Sequence, residues 1–389
     1  MTTTTNNEQK KLNVPNLRFP EFQGEWEELG LSELLDFKNG LNPKPDKFGK
    51  GIKFISVMDI LNNTVITYDC IKASVDVTEK ELSDFSVEKG DMLFQRSSET
   101  LEDVGRANVY MDDKTAVFGG FVIRGKKKGV YDPQYFNYLL RSPFARKRII
   151  PMGAGAQHFN IGQEGLSKVK LHFADIEEQK KIGKMLCLLD ERIATQNKII
   201  EDLKKLKSAI SENLFKAVKG DVVILSEICE IIKGKQVNGE FLSEKGKYYV
   251  MNGGTEPSGY YSDYNVEANT ISISEGGNSC GYVQFNTSPF WSGGHCYTIQ
   301  KIADNVDNLY LYHYLKSKEY AIMKLRIGSG LPNIQKKDLA IFKIKIPTAK
   351  QQKVISTFLS SLERKAEIEE IIQNAMLKEK QYLLQQMFI

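Results

Sequence analysis

The chain lacks the common signatures of chemistry. It has no HExxH, no paired CxxC and no GxxxxGK[ST] segment, so neither a zinc centre nor a phosphate-cradling loop has support in its 389 residues. Its four histidines, His158, His172, His295 and His313, form no recognisable set. His295 adjoins Cys296, but a nucleophile and its base need contact in space, which adjacency in sequence does not supply. The five cysteines are odd in number and unpaired in spacing, which argues for reduced thiols and a cytoplasmic location. Cys280 and Cys296 in particular read as buried structural thiols. No stretch approaches the roughly 18 apolar residues needed to span a bilayer, so no membrane partner is expected. The opening MTTTTNNEQKKLN has no apolar core, and residues 1–13 are expected to be a disordered tail. Net charge is only +4, from 53 basic and 49 acidic residues, so a nucleic-acid partner must be argued from local patches.

What the sequence does hold is a repeat. At an offset of 173, Leu166 meets Leu339, Gln179 meets Gln352, Lys180 meets Lys353, Ile182 meets Ile355, Leu189 meets Leu362 and Phe215 meets Phe388. Slightly upstream, GAG at Gly153 meets GSG at Gly328, and DPQYFNYLLRS at Asp132 meets DNLYLYHYLKS at Asp307. LSEL at Leu31 and LSEI at Leu225 open the two halves. The plan is a variable globular part followed by a similar C-terminal part, twice over. The expected boundaries are 14–152 and 217–327 for the globular parts, and 153–216 and 328–389 for the similar parts.

The similar parts predict long helices. In the first, steps of four and three connect Ile182, Leu186, Leu189, Ile193, Gln196, Ile200, Leu203, Lys207, Ile210 and Leu214, a heptad seam with two polar interruptions. The second seam is weaker: Ile355, Leu359, Leu362, Ala366, Glu369, Gln373, Met376, Lys380, Leu383 and Met387. A helix of about 37 residues is roughly 55 Å long and must bury its apolar stripe. Each helix could lie on its own globular part. The preferred reading pairs the two within one chain. If the second globular part starts where the first helix ends, the second helix runs back, and the pair is antiparallel. The expected fold is α+β: two mixed α/β domains held apart by two long antiparallel coiled-coil helices, with a pseudo-twofold internal repeat.

In the globular parts, runs such as IKFISVMDI, GDMLFQ, NTISIS and FVIRG suit strands. Each part ends in a short helix, for which Asp132 and Asp307 are the expected N-caps. DPQY at Asp132 lacks the second proline of an adenine amino-methyltransferase loop, so it reads as a helix start. No acid/base pair of carboxylates stands out, and no active site is expected.

Two features suit nucleic acid. Residues 121–150 hold eight basic residues, Arg124, Lys126, Lys127, Lys128, Arg141, Arg146, Lys147 and Arg148, against one acid, Asp132. That run is either a phosphate track or a solvated face. Loops rich in Gly, Asn, Gln and Ser also recur in matched pairs: KNGLNPK with KGKQVNG, QRSSET with SEGGNS, FGGF with SGGHC, and GAGAQHFN with GSGLPN. Amides and guanidiniums can bond base edges, although any one such loop is first of all a turn. The candidate DNA contacts are Lys38, Asn39, Gln95, Arg96, Ser97, Lys126, Lys127, Lys128, Gln157, His158 and Asn160 in the first half. In the second half they are Lys233, Lys235, Gln236, Ser274, Asn278, His295, Ser329 and Asn333.

The opening VPNLRFPEFQGEWEELGLSELLDFKNG, the repeated segments and the string LPNIQKKDLAIFKIKIP before a Gln-Lys helix start resemble a specificity subunit of a type I restriction-modification system. The resemblance covers nearly the whole length after residue 14. TAKQQ and LHFADIEEQ depart from the usual proline-containing helix entries. The resemblance implies two target recognition domains on double-stranded DNA, reading a bipartite site with an unspecified spacer. It implies docking of two modification subunits, which carry S-adenosylmethionine and methylate adenine N6, and of two restriction subunits using ATP and Mg. This chain would hold no cofactor and catalyse nothing. The other readings are a fused restriction-methylation enzyme, disfavoured by the missing motifs, and a coiled-coil scaffold that binds no DNA.

Overall fold

The protein is described from a computed structural model covering residues 13–328, 330 and 332–389. The expected tail lies outside the described residues except for Asn13, whose carbonyl accepts from the Trp26 N–H at 2.8 Å. Two compact units form: residues up to Gln196 together with Ile372–Ile389, and Asn197–Ile371.

The units share one core plan, a two-stranded pair beside a four-stranded sheet. In the first, Glu27–Gly30 pairs antiparallel with Lys170–Phe173, and a four-stranded antiparallel sheet follows the order Leu35–Asn39, Val122–Lys127, Met92–Gln95, Ala107–Val109. In the second, Asp221–Ile224 pairs with Lys343–Ile346, and the sheet order is Glu230–Lys233, Cys296–Gln300, Thr270–Ser274, Val283–Asn286. Each unit adds one parallel pair, Phe48–Ile55 with Ala116–Phe118 and Tyr248–Met251 with Trp291–Ser292.

Two local readings change. IKFISVMDI is not one strand: the strand stops at Ile55, and Val57–Asn62 is a helix. Ser56 opens it, with its backbone N–H donating to Asp59 Oδ2 at 2.7 Å, a capping signal hidden inside an apolar run. The basic segment after Asp132 is two helices, Pro133–Arg141 and Pro143–Ile149. Pro143 disfavours helical backbone at Ser142, and the Ser142 hydroxyl then caps the second helix by accepting from the Ala145 N–H at 3.2 Å. Asp132 and Asp307 cap as expected, accepting from Tyr135 and Tyr310 N–H at 2.8 Å each.

The long helices are Ile176–Ala217 and Ala349–Gln386. Their seams face inwards: Ile182, Leu186, Ile193, Ile200, Ile355 and Leu359 are buried, and Leu189, Leu203, Leu362, Met376 and Leu383 are half-buried. The helix segments run antiparallel within each unit. In the first, Ile182 and Leu186 share a core with Met387 and Phe388, and Asp190 pairs with Lys380. In the second, Lys204 pairs with Glu370 at 2.6 Å and Lys207 with Glu363 at 2.5 Å. The polar interruptions Lys207 and Lys380, which are repeat equivalents, are thus each neutralised by a carboxylate on the facing helix.

The repeated residues perform repeated tasks. Gln179 Oε1 accepts from the Asp132 N–H at 3.0 Å while its Nε2 donates to the Ala174 carbonyl at 2.8 Å. Gln352 does the same for Asp307 at 2.8 Å and the Pro347 carbonyl at 2.9 Å. Each thereby ties the start of a long helix to the capped helix of its own globular part. The repeated phenylalanines are exchanged instead. Phe388, from the end of the second helix, packs on Trp26 and Tyr135 of the first unit at ring distances of 6.4 and 5.5 Å. Phe215, from the end of the first helix, packs on Tyr310 and Tyr314 of the second unit at 5.8 and 5.2 Å.

Candidate nucleic-acid interface

In each unit the matched loops gather on one edge of the main sheet. The strands Val122–Lys127 and Cys296–Gln300 are central to this, because the loops preceding them meet the first and second of the matched loops. In the first unit, Gly40 lies so close to Gly119 that a Cβ there would stand 2.0 Å from the Gly119 carbonyl oxygen. In the second, a Cβ on Gly234 would stand 2.3 Å from the Gly293 oxygen. Only glycine allows either crossing. The Arg96 N–H then donates to the Phe121 carbonyl at 2.9 Å, and the Glu275 N–H to the His295 carbonyl at 2.9 Å. The fourth loop closes the edge: Phe159–Asn160 pairs with Ser97–Ser98, and Asn333 bridges to Gly276.

These shared hydrogen bonds set a register that the sequence match misses by one residue. Gly40 and Gly234 donate to the Val122 and Cys296 carbonyls at 3.1 and 2.9 Å. Asn39, not Lys38, is therefore the counterpart of Lys233. Lys38 turns to Asp84 at 3.1 Å and lies 4.8 Å from the Phe85 ring centroid.

The chemistry displayed on the two edges differs. In the first, the Arg96 guanidinium donates to the Gly120 carbonyl at 3.3 Å, and the Ser97 hydroxyl bonds the Asn160 amide oxygen. Gln157, His158, Asn39 and Asn160 are exposed beside them, as is Phe121, at 67% of its surface. Gln95 is buried beneath, its Nε2 donating to the Ser97 carbonyl at 2.9 Å. In the second, the residue at the Arg96 position is Glu275, an acid. Its Oε1 accepts from Lys233 Nζ at 2.6 Å and from the Tyr297 hydroxyl at 3.0 Å, and its Oε2 lies 3.5 Å from His295 Nδ1. Lys233 and His295 stand over this buried carboxylate with side chains 51% and 64% exposed. Lys235, Gln236, Asn278 and Asn333 are exposed, whereas Ser274 is buried and its hydroxyl donates to the Gly253 carbonyl at 2.6 Å. Ser329 lies outside the described residues. Glu275 and Phe121 lie within the matched loops SEGGNS and FGGF but are not among the sequence candidates; the shared hydrogen bonds make them the repeat equivalents of Arg96 and His295.

The thiol adjoining His295 is not primed. Cys296 is buried, and burial pushes it up to about 11, so His295 beside it in sequence is not its base. Among the described residues no His, Cys, Asp or Glu cluster is arranged to hold a metal ion, and no helix is long and apolar enough to cross a membrane.

The lysine triplet lies elsewhere. Val122 pairs with Gln95 and Ile123 with Asn39, while Lys127 pairs with Leu35 at the other end of the same strand. There Lys126 meets Glu88 at 3.4 Å, Lys128 meets Asp36 at 3.0 Å and Lys127 donates to the Tyr131 carbonyl at 3.0 Å. Exposed pairs of this kind hold weakly and yield to a phosphate. If DNA follows the strand this far, K126E/K127E/K128E lowers the log–log salt slope of binding by about 0.9 for each lost contact, measured by titration at several salt concentrations. An unchanged slope confines the interface to the Arg96 end.

One scaffold, folded twice, thus presents two edges of like backbone and unlike side chains, the arrangement of a two-part recognition protein. The chain belongs to the family described as the type I restriction modification DNA specificity domain, which it matches over residues 23–205 and again over 218–378, and it is a specificity subunit with DNA-recognition domains. The MjaX and MjaVIII type I restriction enzyme specificity subunits of Methanocaldococcus jannaschii are 25% and 23% identical to it, over 92% and 90% of this chain and 92% and 88% of theirs. The crystal structure of the type I restriction-modification S subunit from M. genitalium has the same fold, with a TM-score of 0.66 at 19% identity over 97% of this chain and 99% of that one.

Proposed function

We propose that the two edges read the two halves of a bipartite, asymmetric double-stranded DNA site separated by an unread spacer. The observation that carries this is the exchange of Arg96 for Glu275 at one position of a shared hydrogen-bond frame. A guanidinium is a pure donor suited to guanine O6 and N7. The carboxylate at its counterpart instead orients Lys233 and His295, so the same frame presents a different set of donors. Two copies of one reader with unlike tips bind unlike sequences. In this reading residues 14–152 and 217–327 are the target recognition domains, and 153–216 and 328–389 the conserved regions.

The long helices serve as docking places for two modification subunits, which bring S-adenosylmethionine and methylate adenine N6, and for two restriction subunits that use ATP and Mg. Apolar side chains left exposed on these helices support this: Leu188 and Leu377 in the first unit, Phe358, Ile368 and Ile371 in the second. The chain itself supplies recognition and no chemistry, and works in the cytoplasm.

The test is a chimera in which residues 25–160 are replaced by the equivalent segment of a relative. Residue 160 is chosen because Phe159–Asn160 completes the first edge. Methylome sequencing of cells carrying the whole system should show one half-site changed and the other retained. A change in both halves together defeats independent reading. A DNA-free scaffold would show no heparin-resistant gel shift with the modification subunit present.

A further inference from the structure

Away from the loop edge, the first unit contains a cavity of about 400 Å³ with three arginines on its wall, Arg106, Arg141 and Arg146. Two of them are held by neutral groups alone. Arg146 Nη2 donates to the Glu102 and Val104 carbonyls at 2.8 and 2.6 Å, and Arg141 donates to the Ala107 and Asn63 carbonyls at 3.4 and 3.2 Å. Among the described residues neither makes an ion pair, whereas Arg106 pairs with Asp103 at 2.6 Å. Arg146 Nη1 is buried and has no hydrogen-bond partner. Glu102 is the carboxylate on the lining, and Ile60 and Leu61 lie on its apolar side.

Guanidiniums clustered this way repel one another. Burial, and then the charge of Arg106, push Arg146 down to about 10, and it still carries its proton at neutral pH. Carbonyls fix the orientation of these groups without neutralising them, and Asp190 and Asp103 act on Arg141 and Arg146 only from beyond ion-pair distance. A planar fork with an unused N–H is the standard partner of a tetrahedral oxyanion. The apolar side suits the carbon skeleton attached to it.

We propose that this cavity is an oxyanion site that takes the phosphate of a nucleotide unit, with its sugar against Ile60 and Leu61. Two sources offer that group: the DNA backbone and a free nucleotide. The position favours DNA. Glu102 stands four residues beyond Ser98 on the loop edge, at most about 14 Å along the chain, which is about four base-pair rises of B-DNA. The cavity then holds a backbone phosphate flanking the first half-site and sets the register in which Arg96 meets its base. The assignment to DNA rests on the proposed function. The assignment as a phosphate site does not.

The test uses the full chain, with inorganic phosphate, AMP and duplex DNA as probes. At matched ionic strength, phosphate in place of chloride should raise Tm by a few degrees, and AMP by more. Arg106→Gln, on the exposed rim, should keep the Tm found in chloride but lose most of the rise. Arg146→Lys keeps the charge and loses the fork, and should lose it too. If DNA is the source, Arg106→Gln also lowers the log–log salt slope of duplex binding by about 0.9, equally for cognate and random duplexes. Protection by phosphate with an unchanged slope supports the site and assigns it to a free nucleotide. No protection of the wild-type chain, together with an unchanged slope in the folded Arg106→Gln variant, overturns the proposal. Sequence-specific methylation by the assembled system would be unaffected by that outcome, which separates this failure from failure of the recognition reading.

Discussion

Phe388→Ala, at the penultimate residue of the sequence, loosens the amino-terminal globular part and leaves the other intact. The ring is buried against Trp26 and Tyr135, and removing a buried phenylalanine costs about 3–5 kcal/mol. Phe215→Ala does the reverse, since that ring fills the core of the second unit against Tyr310 and Tyr314. Hydrogen exchange reads the two separately: Phe388→Ala speeds exchange in Met92–Gln95, and Phe215→Ala in Thr270–Ser274. Each unit would have its own stability, and each would depend on the far end of a helix begun in the other half of the sequence. Equal loss in both strands after either substitution would show one cooperative body and defeat this account.

On the proposed bipartite reading, lengthening both helices by one heptad is expected to move the half-sites apart without changing them. The facing positions follow from the pair Lys207–Glu363: one turn back on the first helix and one turn on in the second bring Leu203 opposite Glu367. Heptads inserted after Leu203 and after Ala366 keep both seams in register. Each adds about 10 Å of helix. At about 3.4 Å per base pair, full transmission widens the unread spacer by about three base pairs. Tilt of the helices to the DNA reduces that, so the expected gain is one to three, read by methylome sequencing with unchanged half-site sequences. An active system with the original spacer would mean that something other than these helices positions the readers.

The repeat, the heptad seams and the caps Asp132 and Asp307 were legible because each depends on residues near one another in the chain or on a constant offset. Of the seam positions expected from steps of three and four, Ile182, Leu186, Ile193, Ile200, Ile355 and Leu359 are buried, and Leu189, Leu203, Leu362, Met376 and Leu383 are half-buried. Local signals failed where a strong local rule was embedded in a longer pattern. Ser56 with Asp59 starts a helix inside an apolar run, and Pro143 cuts one basic helix into two. The basic run 121–150 is not one surface: Lys126 and Lys128 meet acids at the far end of the sheet strand, Arg124 is buried, and Arg141 and Arg146 line the arginine cavity.

By itself the sequence determined that one plan is used twice, that each copy ends in a long helix with one apolar stripe, and that the loops of the two copies match. Composition and periodicity carry that much, because a helix must bury its stripe and a turn needs its glycine wherever it occurs. Only the tertiary structure decided which loop residues of the two copies correspond. Arg96 and Glu275 are equivalent because both donate a backbone N–H to the residue before a central strand, Phe121 or His295, and that bond crosses some twenty residues of chain. It also decided that Phe215 and Phe388 serve opposite units, since the return of the second helix is fixed by packing, which sums contacts that no local stretch of sequence contains.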